Sequence, residues 1–151
     1  MELRVIILRF LIAFLLSFLF GIYRQRSHKS IGFGTYVFVT LGSTALALTS
    51  LIVYPENPSS LLSAIVTGIG FLGAGALIKT SDKIFGFTSA ASILAFAIFG
   101  LSIGLGDYSI AISLYFLIWA VVLFDTQLEK KGIGSYQKKL TIVVKGVSNL
   151  K

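Results

Sequence analysis

Two groups of residues have the types and spacing to do chemistry. The first is Gly68-Ile69-Gly70-Phe71-Leu72-Gly73-Ala74-Gly75, whose first six letters satisfy G-x-G-x-x-G. In dinucleotide-binding folds that pattern bends the backbone tightly around a pyrophosphate at a helix N-terminus. The second is a scatter of polar side chains in or beside apolar sequence, namely Arg24, Thr35, Thr67, Thr88 and Asp107. In a low-dielectric setting such groups are costly to place and are candidates for holding an ion or solute. The usual catalytic sets are missing. The chain has no cysteine, so no thiolate nucleophile, disulfide or Cys-based metal site is available. His28 is the single histidine and lies in a basic stretch, where a solvated loop residue is the simplest reading. The acids Glu2, Glu56, Asp82, Asp107, Asp125 and Glu129 all fall at or beyond the ends of apolar runs. We therefore expect no enzymatic activity, no catalytic residues and no cofactor.

The surroundings of the glycine block decide against a nucleotide. A dinucleotide loop needs a strand before it, a soluble helix after it and an acid about 20 residues further on. Here the block lies inside the apolar run Leu61 to Ile78. Hydrophobic residues make up 56% of the chain and charged residues 13%, roughly half the 25% typical of soluble domains. Five apolar runs cover Val5 to Tyr23, Phe33 to Tyr54, Leu61 to Ile78, Phe85 to Leu105 and Tyr108 to Phe124. Each is near the roughly 20 residues that cross a bilayer as a helix. The breaks between them are Pro55-Glu56-Asn57-Pro58, a short charged segment from Lys79 to Lys83, and a glycine turn from Gly104 to Asp107. The expected fold is an all-α integral membrane protein, a compact bundle of about five transmembrane helices. The first run is too long for a signal h-region and reads as a retained helix.

Charge sets the expected orientation. Arg24, Arg26, His28 and Lys29 follow the first run, Lys79 and Lys83 the third, and Lys130, Lys131, Lys138, Lys139, Lys145 and Lys151 the fifth. The alternate loops hold only Glu56 and Asp107, so the positive-inside rule places the N-terminus outside and the C-terminus in the cytoplasm. The net charge of +7 then reflects cytoplasmic loops and anionic lipid rather than nucleic acid. Arg9 is the one charge well inside a run, and it is expected to snorkel to the outer interface. Residues 1–125 form the expected membrane domain, and 126–151 a basic cytoplasmic tail with one possible β-strand at 140–145.

Within a helix the glycines acquire a packing role. At 100° per residue, Ala64, Gly68 and Gly75 share one face, while Gly70, Gly73 and Ala74 form a second small surface. Ala13, Ser17 and Gly21 recur every four residues in the first helix, and Gly86, Ala90, Ala97, Gly100 and Gly104 make a stripe in the fourth that ends in G-x-x-x-G. Small residues let helix backbones approach closely in lipid, and the third helix is expected to be central. A broken third helix whose freed carbonyls, with Thr67 and Thr88, line an ion site is the alternative.

The blocks Val66-Thr67-Gly68-Ile69-Gly70-Phe71-Leu72-Gly73-Ala74-Gly75, Gly86-Phe87-Thr88-Ser89-Ala90-Ala91-Ser92 and Gly100-Leu101-Ser102-Ile103-Gly104-Leu105-Gly106-Asp107-Tyr108 resemble, in order and spacing, the MgtC/SapB family of bacterial inner-membrane proteins. The resemblance covers about residues 10 to 125. Toward the N-terminus Arg24, Gly32 and Thr35 keep the family pattern, whereas Tyr23, Gly34 and Tyr36 stand where the family carries an acid, an arginine and a histidine. Many members end in an ACT-like domain, of which this chain would hold at most the first strand. The resemblance implies a multi-pass inner-membrane protein linked to magnesium limitation or acid stress. It also implies Mg²⁺ as a ligand or signal, and a large membrane complex such as the F-type ATP synthase as a partner. Two functions follow as expectations. One is a regulatory or interaction protein. The other is a transporter or channel component for Mg²⁺ or another solute, working as a homodimer or other homo-oligomer. The absence of a carboxylate at mid-membrane weighs against the second, because Mg²⁺ sites usually include one or two.

Overall fold

The computed structural model describes residues 2–27, 31–80 and 83–131. The possible strand at 140–145 and most of the basic tail lie outside them. Five helices follow one another as α1 (Leu3–Arg26), α2 (Phe33–Val53), α3 (Ser59–Gly75), α4 (Phe87–Leu105) and α5 (Tyr108–Lys130). α1, α2, α4 and α5 are long and apolar enough to cross a membrane, while α3 is shorter. At 1.5 Å per residue the 17 residues of α3 span about 25 Å, somewhat less than a hydrocarbon core of about 30 Å. The chain divides into two compact units, Met1–Ile118 and Trp119–Lys151.

Two boundaries differ from the sequence expectation. α3 ends at Gly75 rather than running to Ile78, and the charged segment after it is an antiparallel hairpin of β1 (Ile78–Thr80) and β2 (Lys83–Phe85), with Ile78 opposite Phe85 and Thr80 opposite Lys83. Gly86 makes this exit possible. Its φ of 97° is open to glycine at little cost, and a Cβ there would stand 2.8 Å from the carbonyl oxygen of Ala76. In α5 the helix continues past Phe124 to Lys130, because Asp125 to Lys131 contain no glycine or proline to stop it and the first glycine is Gly132.

In the first unit α1 runs antiparallel to α2, and α2 runs parallel to α4. The second relation is visible in a constant register: Tyr36 meets Ser92, Thr40 meets the Phe96 carbonyl and Thr44 meets the Gly100 carbonyl. Close approach is set by small residues. A Cβ on Gly21 would lie 2.8 Å from Phe33 Cα, and one on Gly104 would lie 2.5 Å from Ala47 Cβ and 2.7 Å from the Thr44 carbonyl. One on Gly100 would fall onto the Thr40 carbonyl oxygen. Between these contacts, Phe20, Tyr36, Phe96, Phe99 and Tyr115 form a chain of rings from four helices, with centroids 4.5 to 5.4 Å apart for Phe20–Phe96, Phe20–Tyr36, Tyr36–Phe96 and Phe99–Tyr115. Edge-on and tilted pairs at these separations add to simple packing.

The central helix is therefore α4 and not α3. Phe96, Ala97, Phe99, Gly100 and Ile103 of α4 are buried, whereas in α3 the buried hydrophobic side chains are Ile65 and Ile69. The glycine content of α3 misleads here: removing bulk permits a close neighbour but does not supply one.

Candidate functional site

The most unusual polar feature lies where α1 ends and α2 and α4 begin. Arg24, in the last turn of α1, is 1% exposed. Its Nε donates to the Tyr36 hydroxyl at 3.3 Å and its Nη2 to Ser89 Oγ at 2.8 Å. The Tyr36 hydroxyl also pairs with Ser92 Oγ at 2.9 Å, and Ser92 Oγ donates to the Ser89 carbonyl at 2.8 Å. Local sequence explains the convergence. Tyr36 sits in the first turn of α2, and Ser89 and Ser92 lie three apart in the first turns of α4, so they share one helix face. All these partners are neutral. Burying a cation without an anion is expensive, so the hydroxyl cage only partly compensates this guanidinium.

Arg9, two-thirds of α1 away, is handled differently. Its Nη1 donates to the Gly104 carbonyl at 2.6 Å, and its guanidinium packs on Gly106, whose φ is 92°. It thus meets the C-terminal end of α4, where the helix dipole favours a cation, instead of simply snorkelling outward. Its Nε is buried without a partner among the described residues.

The other residues expected from sequence fall elsewhere. Thr35, Thr67, Thr88 and Asp107 are exposed and are not brought together with Arg24. Thr67 Oγ1 donates to the Ser63 carbonyl one turn back, at 3.0 Å. The glycine block is continuous α-helix through Gly75. Among the described residues, a Cβ added at Gly68, Gly70 or Gly75 would meet no atom within 4 Å beyond its own helix, and one at Gly73 would reach the Ala90 carbonyl at 3.7 Å. Beside it, α2 and α3 form an open apolar groove of about 540 Å³, lined by residues that include Phe38, Gly42, Ser43, Ala64, Gly68 and Leu72. Among the described residues no cluster of three or more His, Cys, Asp or Glu side chains is placed to hold a metal.

Tyr36, Ser89 and Ser92 were missed in the sequence. The available signal was an arginine directly after the first apolar run, which must find polar neighbours if the bundle buries it; only the helix register reveals which.

Residues 10–131 match the MgtC family. The chain belongs to that family. It is 34% identical over 112 residues to Protein MgtC of Salmonella typhimurium (strain 14028s / SGSC 2262), covering 74% of this chain and 48% of that protein. It is 31% identical over 115 residues to YhiD of Escherichia coli (strain K12), named a candidate magnesium transporter, covering 70% of this chain and 54% of the relative. Protein SapB of Bacillus subtilis (strain 168) is 31% identical over 145 residues, which is 89% of this chain and 62% of SapB. The chain thus spans about half the length of the first two relatives. No solved structure matches it. Membership of the MgtC family and four spanning helices identify a multi-pass protein of the bacterial inner membrane.

Proposed function

We propose that this MgtC-family protein acts in magnesium homeostasis as a regulatory or interaction protein of the inner membrane. In this reading the N-terminus is outside and the C-terminus in the cytoplasm, it works under magnesium limitation or acid stress, and it performs no catalysis. One observation carries the reading. Gly68, Gly70 and Gly75 of α3 are left open beside the apolar groove with α2, so a helix surface built for close approach has, at these three positions, no neighbour among the described residues. A second copy of the chain, or a larger membrane complex such as the F-type ATP synthase implied by the family, would supply that neighbour. The name of YhiD supports the magnesium context. Glu2, Glu56 and Asp107, the described acids of the first unit, stand at helix ends or in loops, away from mid-membrane. That placement gives a dication no carboxylate to replace its water at the centre of the bundle.

The transporter reading keeps one supporting observation, the relative named for magnesium transport. Reconstitution separates the two. Proteoliposomes carrying an internal Mg²⁺ indicator are expected to show no uptake above empty vesicles, while Gly70→Leu is expected to abolish the low-magnesium growth phenotype by blocking the α3 face. Uptake that depends on Gly70 would sink the regulator-only reading.

A further inference from the structure

Among the described residues no acid balances the charge of Arg24. Arg24 lies in the last turn of its own helix, which favours a cation, but it faces the first turns of α2 and α4, whose dipoles place positive potential there. Neither α2 nor α4 has an acid in its first turn or a side-chain hydrogen bond from its N-cap residue, and both N-cap positions are glycines, Gly32 and Gly86. Among the described acids of the first unit, Glu2 precedes α1, Glu56 follows α2 and Asp107 follows α4. All three stand at the opposite ends of these helices from Arg24.

The same place holds unused donors. Nη1 of Arg24 has no hydrogen-bond partner among the described residues. Ser89 Oγ accepts from Arg24 and, among the described residues, leaves its own proton free. The N–H groups of Phe87, Thr88 and Ser89 precede the first bond of α4, from the Ala90 N–H to the Gly86 carbonyl at 2.8 Å. Phe87 and Thr88 are exposed, so this end of α4 is open to the membrane face on which α1 ends. By contrast, the α2 end is partly capped, because Gln25 Oε1 accepts from the Phe33 N–H at 3.3 Å.

We propose that the N-terminal end of α4, together with Arg24 and Ser89, is a binding site for a phosphate-type oxyanion. The guanidinium supplies a charge and a free edge, Ser89 a hydroxyl, and α4 its unpaired amides, a donor set that suits a tetrahedral anion with several acceptor oxygens. The anion is either free phosphate or the phosphodiester of an anionic lipid headgroup, and it neutralises the buried cation.

The test uses the full chain in dodecyl maltoside without phosphate, followed by thermal unfolding. One arm titrates inorganic phosphate against chloride at matched ionic strength, and the other dopes the micelles with phosphatidylglycerol. A saturable rise in midpoint is expected in at least one arm, and the responding arm identifies the source. Arg24→Gln should abolish the rise, and Ser89→Ala should weaken apparent affinity by about tenfold. If Arg24→Gln does not fold, Arg24→Lys keeps the charge but loses the fork, and it should weaken binding at least as much as Ser89→Ala. Asp82→Asn should leave the response intact. No midpoint change beyond chloride in either arm, or an equal response in wild type, Ser89→Ala and the Arg24 variant, overturns the proposal. So does a response that appears only in Asp82→Asn and not in the wild type, since the counter-charge would then come from within the chain.

Discussion

α3 and α4 are both rich in glycine, and the structure uses them in opposite ways. In α4, Gly100 and Gly104 lie against the backbone of α2, so closely that a methyl group would strike Thr40, Thr44 or Ala47. In α3, Gly68, Gly70 and Gly75 face open space, and Phe71 between them is 83% exposed. The difference lies in register. The α4 glycines are four apart and fall opposite Thr40 and Thr44, which are also four apart on a parallel helix, so two matched surfaces meet over a full turn. The α3 glycines have no such matched partner among the described residues. A glycine count therefore measures the capacity for close packing, and the facing helix decides whether it is used.

The sharpest way to break this contrast is to remove one large side chain from each region. Phe96→Ala, at a fully buried ring touching Phe20, Tyr36 and Phe99, is expected to lower unfolding free energy by about 3–5 kcal/mol, while Phe71→Ala should change it by less than about 0.5 kcal/mol in thermal unfolding in maltoside micelles. Equal losses would mean that α3 packs as tightly as α4. Next in size is a single methyl. Gly104→Ala should cost about 1–3 kcal/mol by overpacking against Ala47, and Gly68→Ala should be neutral or stabilising by up to about 1 kcal/mol through helix propensity. The same assay sharpens the comparison if the signs differ. The smallest effect concerns hydroxyls. Thr44 Oγ1 bridges the Thr40 and Gly100 carbonyls, both at 2.9 Å, so Thr44→Val should lose about 0.6 kcal/mol, whereas Thr67→Val, which removes only a bond within α3, should be silent. A last measurement addresses assembly. Gly70→Leu should reduce oligomer mass in light scattering if a second copy occupies the open α3 face, and Gly100→Leu should instead yield misfolded protein.

Much of the fold was legible because hydropathy and breakers are local. The five apolar runs became five helices, and Pro55, Pro58 and the Gly104 to Asp107 turn fell between them. The end of α3 was not legible, since nothing apolar distinguishes Ala76 to Ile78 from the helix before it. Its stop depends on pairing with Lys83 to Phe85. The polar set was legible only in part. Arg24 stood out because it keeps the family pattern at the end of the first run, but Thr35, Thr67 and Thr88 look equally polar in one dimension, and three-dimensional depth separates them from Tyr36, Ser89 and Ser92.

The sequence alone determined the solvent of this protein, its helical class and its family. Each of those follows from composition and from motifs whose order survives without coordinates. Only the tertiary structure decided that α4 is central, that Arg9 and Arg24 meet opposite ends of that helix, and that the α3 glycines remain open. The physical reason is that a side chain's energy in lipid depends on what stands across from it, and the facing residue, such as Ser89 for Arg24, lies far away along the chain.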